Sequence, residues 1–272
     1  MRLDRQRFPA SRAHTSTTSS RKAPVSYAVQ EESTSPRFAR AFAIGCGGIA
    51  TPVDRLLPGP VALFGSPKRV ELLEQAKTEG RDWYYGDHGF YRRGKYYRIT
   101  KNAYQYVPTR EAIDAAKPQR LQACHVNVQP AWQSGGSSIL ICPNSPTYMK
   151  WFGVDAHQWV LDLVGTLGKL TDRPIVVRWK TQAQRRPLYL DLHDAWMTVV
   201  FSSNAAVESL AYGVPICVLA PWATTAQMGI QDIQQVESPV RPDYREKFLW
   251  HLAERQWNMA EIEAGLAWKQ IQ

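Results

Sequence analysis

The sequence predicts an α/β protein of two lobes with a central cleft, preceded by a flexible basic N-terminal tail. Three observations carry this expectation. Four short apolar runs, Ser138 to Cys142, Pro174 to Trp179, Met197 to Phe201 and Pro215 to Leu219, alternate with helix-like stretches from Asp155 to Leu170 and from Asn204 to Tyr212. Such alternation requires right-handed crossovers and a parallel sheet covered on both faces. A second strand-and-helix series begins near Phe38, and Asn127 to Ser137, with Pro130, Gly135 and Gly136, reads as the linker between the two. The expected units are a tail over residues 1–35, a first lobe over 36–130 and a second over 131–272.

In the first lobe, Ala41 to Ile44 and Val61 to Phe64 read as short buried strands. Ser66 and Pro67 read as the cap of a helix running from Lys68 to Thr78. Asp82 to Tyr85, Lys95 to Thr100 and Leu121 to Val126 read as further strands. Arg241 to Trp257 supplies an amphipathic helix near the C-terminus. Residues 1–35 are rich in Ser, Thr and Arg and lack periodic apolar positions, so ordering them is not repaid by burial. They are expected to be either a solvated tail without a role or a nonspecific anchor on a polyanion.

Of the 272 residues 44% are hydrophobic, with Trp 10 and Tyr 12, enough to fill real cores. The longest apolar runs fall well short of a bilayer span, and the N-terminus carries Arg and Ser where a signal peptide needs an apolar stretch. A cytoplasmic protein without membrane contact is expected. Cys46, Cys124, Cys142 and Cys217 are widely spaced and indicate neither a zinc motif nor a disulfide framework. A formal net charge of +9 favours polyanionic partners, nucleic acid, phosphates or anionic lipid heads, without choosing among them.

In a parallel sheet the ligand sits beyond the carboxyl ends of the strands. Ser202, Ser203 and Asn204 occupy that position, between the apolar run ending at Phe201 and a helix that stops at Gly213. Hydroxyls, free N–H groups and the positive end of a helix dipole converge there, which suits a phosphate. Glu208 lies one turn along the same helix face as Asn204, within reach of a ribose hydroxyl. The plainer alternative is that Ser203 or Asn204 only caps the helix and Glu208 is solvated. Arg178 and Lys180, two apart at a strand end, project to one side and suit a diphosphate, or are ordinary loop charges.

Ser202-Ser203, Glu208 and Gly213-Val214-Pro215 together resemble the nucleotide-sugar-binding half of GT-B glycosyltransferases, especially those of capsule polysaccharide. The stretch from His251 to Trp268 is similar to the ending of those enzymes, and the resemblance covers about residues 138–272. Asp87-His88-Gly89-Phe90, with the arginines that follow, resembles an Asp-Gly-Phe-x-Arg element of the capsule enzymes, with His88 inserted. The same stretch resembles glycosyltransferase-like proteins of tailed bacteriophages.

The resemblance implies two Rossmann-like lobes and transfer of a sugar from a nucleotide-sugar, a UDP-sugar in the first instance, to an acceptor hydroxyl. Asp87 is the first choice for the base that takes the acceptor proton and His88 the second; a turn in which Asp87 only accepts local bonds is the alternative. Arg178, Lys180, Ser202, Ser203, Asn204 and Glu208 form the expected donor site. Arg92, Arg93, Lys95, Arg98 and Lys101, interleaved with Tyr91, Tyr96, Tyr97 and Tyr104, read as an acceptor surface suited to DNA, or in part as strand packing. No Asp-x-Asp triplet is present and the histidines show no ligand spacing, so no metal and no further cofactor are expected. His193 and Asp194 lie near the donor or in the core.

The acceptor expected first is a 5-hydroxymethylpyrimidine, such as hydroxymethylcytosine, in phage DNA. A glycosyltransferase acting on a surface glycan and a non-catalytic nucleic-acid-binding protein on the same scaffold are the alternatives.

Overall fold

Short strands in this chain are followed by polar turns and then by helices, and the computed structural model stacks them into two sheets. It describes residues 25–27, 34–48, 50–52, 60–65, 70–180 and 186–272. In chain order the first part contains β1 (Val25–Tyr27), α1 (Thr34–Gly45), β2 (Ala50–Pro52), β3 (Val61–Phe64), α2 (Val70–Thr78), β4 (Trp83–His88), β5 (Tyr97–Lys101), α3 (Arg110–Ala115) and α4 (Gln119–Ala123). Next come β6 (Ser138–Ile141), α5 (Pro146–Lys150), α6 (Ala156–Leu167), β7 (Ile175–Val177), α7 (Tyr189–Leu192), β8 (Ala195–Val200), α8 (Ala205–Tyr212) and β9 (Ile216–Val218). The chain ends with α9 (Arg245–Glu254), α10 (Met259–Glu263) and α11 (Leu266–Ile271).

The first sheet has the order β2-β1-β3-β4-β5, and the second β7-β6-β8-β9. All pairs in the second sheet are parallel, as the alternating pattern predicts. In the first, β5 alone runs antiparallel to its neighbour, because only residues 89–96 separate it from β4 and a parallel return needs a longer crossover. That hairpin sets Asp87 opposite Arg98 and His88 opposite Tyr97.

Two expected strands are helices. Ala41 to Ile44 lies inside α1, where Phe38, Ala41 and Phe42 recur at helical spacing and are all buried. Leu121 opens no strand: it is the buried residue of the short helix α4, and the chain leaves it through His125 at φ 50°. Of the expected tail, residues 1–24 and 28–33 lie outside the described residues, while Val25–Tyr27 pairs in parallel with β2 and β3. The Ser66-Pro67 cap also lies outside them.

The segment read as a linker is irregular but pinned. The N–H groups of Gln129 and Gln133 donate to the carbonyls of Ala211 and Gly213, at 2.9 and 2.7 Å. Buried Arg245 donates to the carbonyls of Leu210 and Gln129, at 2.9 and 2.6 Å, satisfying the carboxyl end of α8. Although they follow the second sheet in the chain, α10 and α11 pack on α1, where Ile262, Ala267 and Ile271 join Phe38, Phe42 and Tyr84 in one apolar cluster. Trp257 and Tyr97 exchange both backbone hydrogen bonds at 2.8 Å, and Arg120 grips Glu261 through two nitrogens, at 2.7 and 2.5 Å.

Gly213 ends α8 at φ 84°, and a Cβ there would meet the Ala131 carbonyl at 2.5 Å. Gly213→Ala is expected to destabilise the fold by roughly 2–4 kcal/mol, from left-handed strain plus overpacking, read as a lowered urea midpoint.

Candidate functional site

The carboxyl ends of β3, β4, β6, β7 and β8 open on one cavity of about 840 Å³. Its wall holds Asp87, His88, Arg92, Arg93 and Arg98 from one side of the chain and Arg178, Lys180, Ser202, Ser203, Asn204 and Glu208 from the other. Residues far apart in sequence, proposed for donor and acceptor roles, therefore share one space. Lys95 and Lys101 do not line it: Lys101 pairs with Asp82 at 3.1 Å, and the Lys95 ammonium lies 5.7 Å from the Tyr96 ring. Of the tyrosines expected to form a stacking surface, Tyr91, Tyr96 and Tyr97 are buried: the Tyr91 hydroxyl donates to the Leu249 carbonyl at 3.1 Å, the Tyr96 ring lies under the Arg120 guanidinium, and Tyr97 packs against Phe38 and Phe64. His193 and Asp194 are exposed and lie outside the cavity wall.

The turn after β8 is immobilised from several directions. The Ser202 N–H donates to Asn144 Oδ1 at 3.0 Å, and the Ser202 carbonyl accepts from Gln105 Nε2 at 3.0 Å. Asn204 Nδ2 donates to the Phe90 carbonyl at 2.9 Å, tying the turn to the Asp87–Phe90 segment. Ser203 Oγ accepts the Ala205 N–H at 3.3 Å, and the carbonyls of Ser203 and Asn204 accept the next N–H groups of α8. The N–H groups of Ser203 and Asn204 themselves meet no acceptor among the described residues. Two free donors at a helix N-terminus are the local requirement for holding an anion.

The charge around this corner is unbalanced. Six basic side chains line the cavity, Arg92, Arg93, Arg98, Arg178, Lys180 and Arg186, against the two carboxylates Asp87 and Glu208. Several of the six are committed: Arg98 pairs with Asp87 at 2.8 Å, Arg178 with Asp191, and Arg92 Nε donates to the Cys124 carbonyl at 2.6 Å. Arg93 and Lys180 have no ion-pair partner among the described residues. Burial, and then the Arg93 guanidinium, lower the Lys180 ammonium below its ordinary value, with Asp87 and Glu208 pulling the other way. Burial lifts the Glu208 carboxyl, with Arg178 and Lys180 opposing.

Asp87 uses both oxygens inside the protein, Oδ1 accepting the His88 N–H at 2.7 Å and Oδ2 accepting from Arg98. Burial pushes its carboxyl up, but the Arg98 guanidinium outweighs that and holds it below the usual value. His88 is depressed by burial and by Arg93 and Lys180, so its imidazole is uncharged at neutral pH, and Nδ1 is buried with no partner. Burial drives the Cys142 thiol, also on the cavity wall, up to about 12, which makes it inert as a nucleophile. Among the described residues no His, Cys, Asp and Glu side chains gather into a group of three that could hold a metal ion.

Sequence reasoning missed Asn144, Ser145, Tyr148, Trp179 and Gln105, all on the wall. For the first three the signal existed: Asn144-Ser145-Pro146 follows the β6 run and repeats the strand, polar turn, helix order of Ser202 to Asn204, with Ser145 capping α5. Gln105 carried no local signal.

The chain is thus a two-sheet α/β protein in which parallel strands end at a cavity lined mainly by cations. It is similar to the solved KpsC β-Kdo 2,7 transferase of Thermosulfurimonas dismutans, with TM-score 0.55 and 10% identity over 91% of this chain and 99% of that one. It is also similar to the KpsC β-Kdo 2,4 transferase of the same organism, with TM-score 0.51 and 13% identity over 84% and 89%. At these identities the likeness shows a shared glycosyltransferase-like fold. No family model matches the sequence, and a search of curated proteins found no match. Among the described residues no helix is long and apolar enough to cross a membrane.

The lowered His88 value makes a direct prediction. Arg93→Ala should raise the His88 titration midpoint toward the ordinary value of about 6.5, followed by NMR of the ring protons. Because the folded value lies below the unfolded one, His88 contributes stability above about pH 6.5 that is lost as pH falls through the folded value. Arg93→Ala should shrink that acid-side loss.

Proposed function

We propose that the protein is a glycosyltransferase that holds a nucleotide-sugar in this cavity, between a donor side formed by α8 and its turn and an acceptor side formed by β4 and its loop. The observation that carries the reading is the meeting of two unpaired cations, Arg93 and Lys180, with two unclaimed N–H groups, Ser203 and Asn204, on one cavity wall. Like charges brought together without a counterion favour an anionic ligand, and a donor phosphate supplies it. Glu208 then accepts from a ribose hydroxyl, and Arg178, steadied by Asp191, flanks the phosphates.

In the transfer step the bond from the sugar's anomeric carbon to phosphate oxygen breaks and the nucleotide leaves with the electron pair. The acceptor oxygen bonds to that carbon and its proton passes to a base. His88 suits this role better than Asp87, because it lines the cavity and is uncharged at neutral pH, whereas Asp87 is held by Arg98 and is a weak base. Asp87 then steadies the imidazolium that forms. No metal is required by this scheme, since cations and dipoles already attend the leaving group.

For the acceptor, the likeness to two β-Kdo transferases supports a glycan, and we propose a surface glycan first. The net charge of +9 favours a polyanionic acceptor in general, and hydroxymethylated DNA is kept as the second candidate on that ground alone. The test is to incubate the protein with UDP-hexoses and a nucleotide-activated Kdo, with and without a chelator. Glycan acceptors, DNA carrying 5-hydroxymethylpyrimidines and unmodified DNA are offered in parallel. Transfer of labelled sugar to one acceptor class, undiminished by chelator, is expected; binding of DNA with no donor turnover would overturn the reading. Lys180→Ala should weaken nucleotide binding on the order of tenfold or more, the worth of a charged hydrogen bond. His88→Asn should leave binding intact and slow turnover by roughly 10²–10⁴.

A further inference from the structure

Gln105 is a buried amide on the cavity wall, supplied by the chain just after β5. Its Nε2 donates to the Ser202 carbonyl at 3.0 Å and lies 3.4 Å from the Tyr148 hydroxyl, while its Oε1 accepts the Thr224 N–H at 2.9 Å. One side chain therefore joins the β8–α8 turn to the loop beyond β9, using a donor at one end and an acceptor at the other. In a trans peptide the carbonyl of one residue and the N–H of the next point in opposite directions within one plane, and no peptide bond here is cis. A Ser202 carbonyl held by Gln105 thus leaves the Ser203 N–H facing the other way, where no acceptor among the described residues meets it.

We propose that Gln105 is a positioning residue that fixes the Ser202–Ser203 peptide plane and so aims the Ser203 N–H at a phosphate oxygen of the donor. This rests on the proposed function, and it assigns to a residue from the acceptor side the job of shaping the donor site. The amide is required because it offers a donor and an acceptor together. A carboxylate at the same place keeps the Thr224 contact but sets an oxygen against the Ser202 carbonyl, which turns the peptide away. Protonated, the carboxyl regains one donor and one acceptor and restores the plane.

The test titrates inorganic pyrophosphate and uridine diphosphate into wild-type, Gln105→Glu and Gln105→Met protein by calorimetry, at about pH 9 and about pH 5.5, the span over which a buried Glu protonates. Thermal midpoints are recorded on the same samples. Tyr148, Asp87 and Arg98 keep their protonation across that span, since burial holds the Tyr148 hydroxyl up, the Asp87 carboxyl lies below its usual value and Arg98 above its own. The depressed His88 and the raised Glu208 on the same wall are common to wild type and variants and drop out of the comparison between them. Gln105→Glu should bind on the order of tenfold more weakly than wild type at the higher pH, with most of the gap closing at the lower, whereas folded Gln105→Met stays weak at both. Wild-type affinity in Gln105→Glu at the higher pH overturns the inference. So does an equal deficit at both pH values, or a deficit that only follows the thermal midpoint, since either is what a merely structural role would give. Failure of wild-type protein to bind either ligand overturns the proposed function itself and is seen before any variant is compared.

Discussion

The corner between Phe201 and Asn204 is held by hydrogen bonds from three separate stretches of chain, and the character of the cavity depends on that restraint. Asn144 takes the Ser202 N–H, Gln105 takes its carbonyl, and Asn204 reaches back to Phe90. With those groups satisfied, the backbone donors left over are the N–H groups of Ser203 and Asn204. A turn free to rotate would bury them against the protein or lose them to water; a turn held on both sides presents them to whatever fills the space.

Charge follows from the same geometry. The β4–β5 hairpin pairs Asp87 with Arg98 across the strands, so one of the two acidic residues on the cavity wall is neutralised from within. Asp191 does the same for Arg178 from α7. Cations on the wall therefore outnumber the acids free to answer them, and burial first, then the Arg93 charge, depress the proton affinity of Lys180 and His88. The cost of gathering like charge at a low-dielectric surface is relieved when an anion enters.

The C-terminal segment fastens the arrangement. Gln256 accepts the Tyr91 N–H at 2.9 Å, Trp257 ladders with Tyr97, and α10 and α11 cover α1. The Asp87–Tyr91 loop is thus braced by residues more than a hundred and fifty positions away, which holds His88 at a set place relative to the turn after β8.

Much of this was legible in the residues. The four strands of the second sheet, helices α6 and α8, and the polar turn between β8 and α8 follow from apolar runs broken by capping residues, because these are local consequences of backbone and solvation. Apolar run length alone could not separate strand from helix at Ala41 to Ile44 or Leu121, where burial on a helical face decided. Nor could it show that Tyr91, Tyr96 and Tyr97 turn inward, that Lys95 and Lys101 stay outside the cavity, or that Arg98 belongs to Asp87. Gln105 is the extreme case, since nothing in its neighbourhood in the chain marks it and its partners Ser202 and Thr224 lie about a hundred residues away. The sequence by itself determined which residue types stand at strand ends; tertiary structure alone decided which of them meet, because hydrogen bonds and ion pairs act over a few ångströms in space irrespective of separation along the chain.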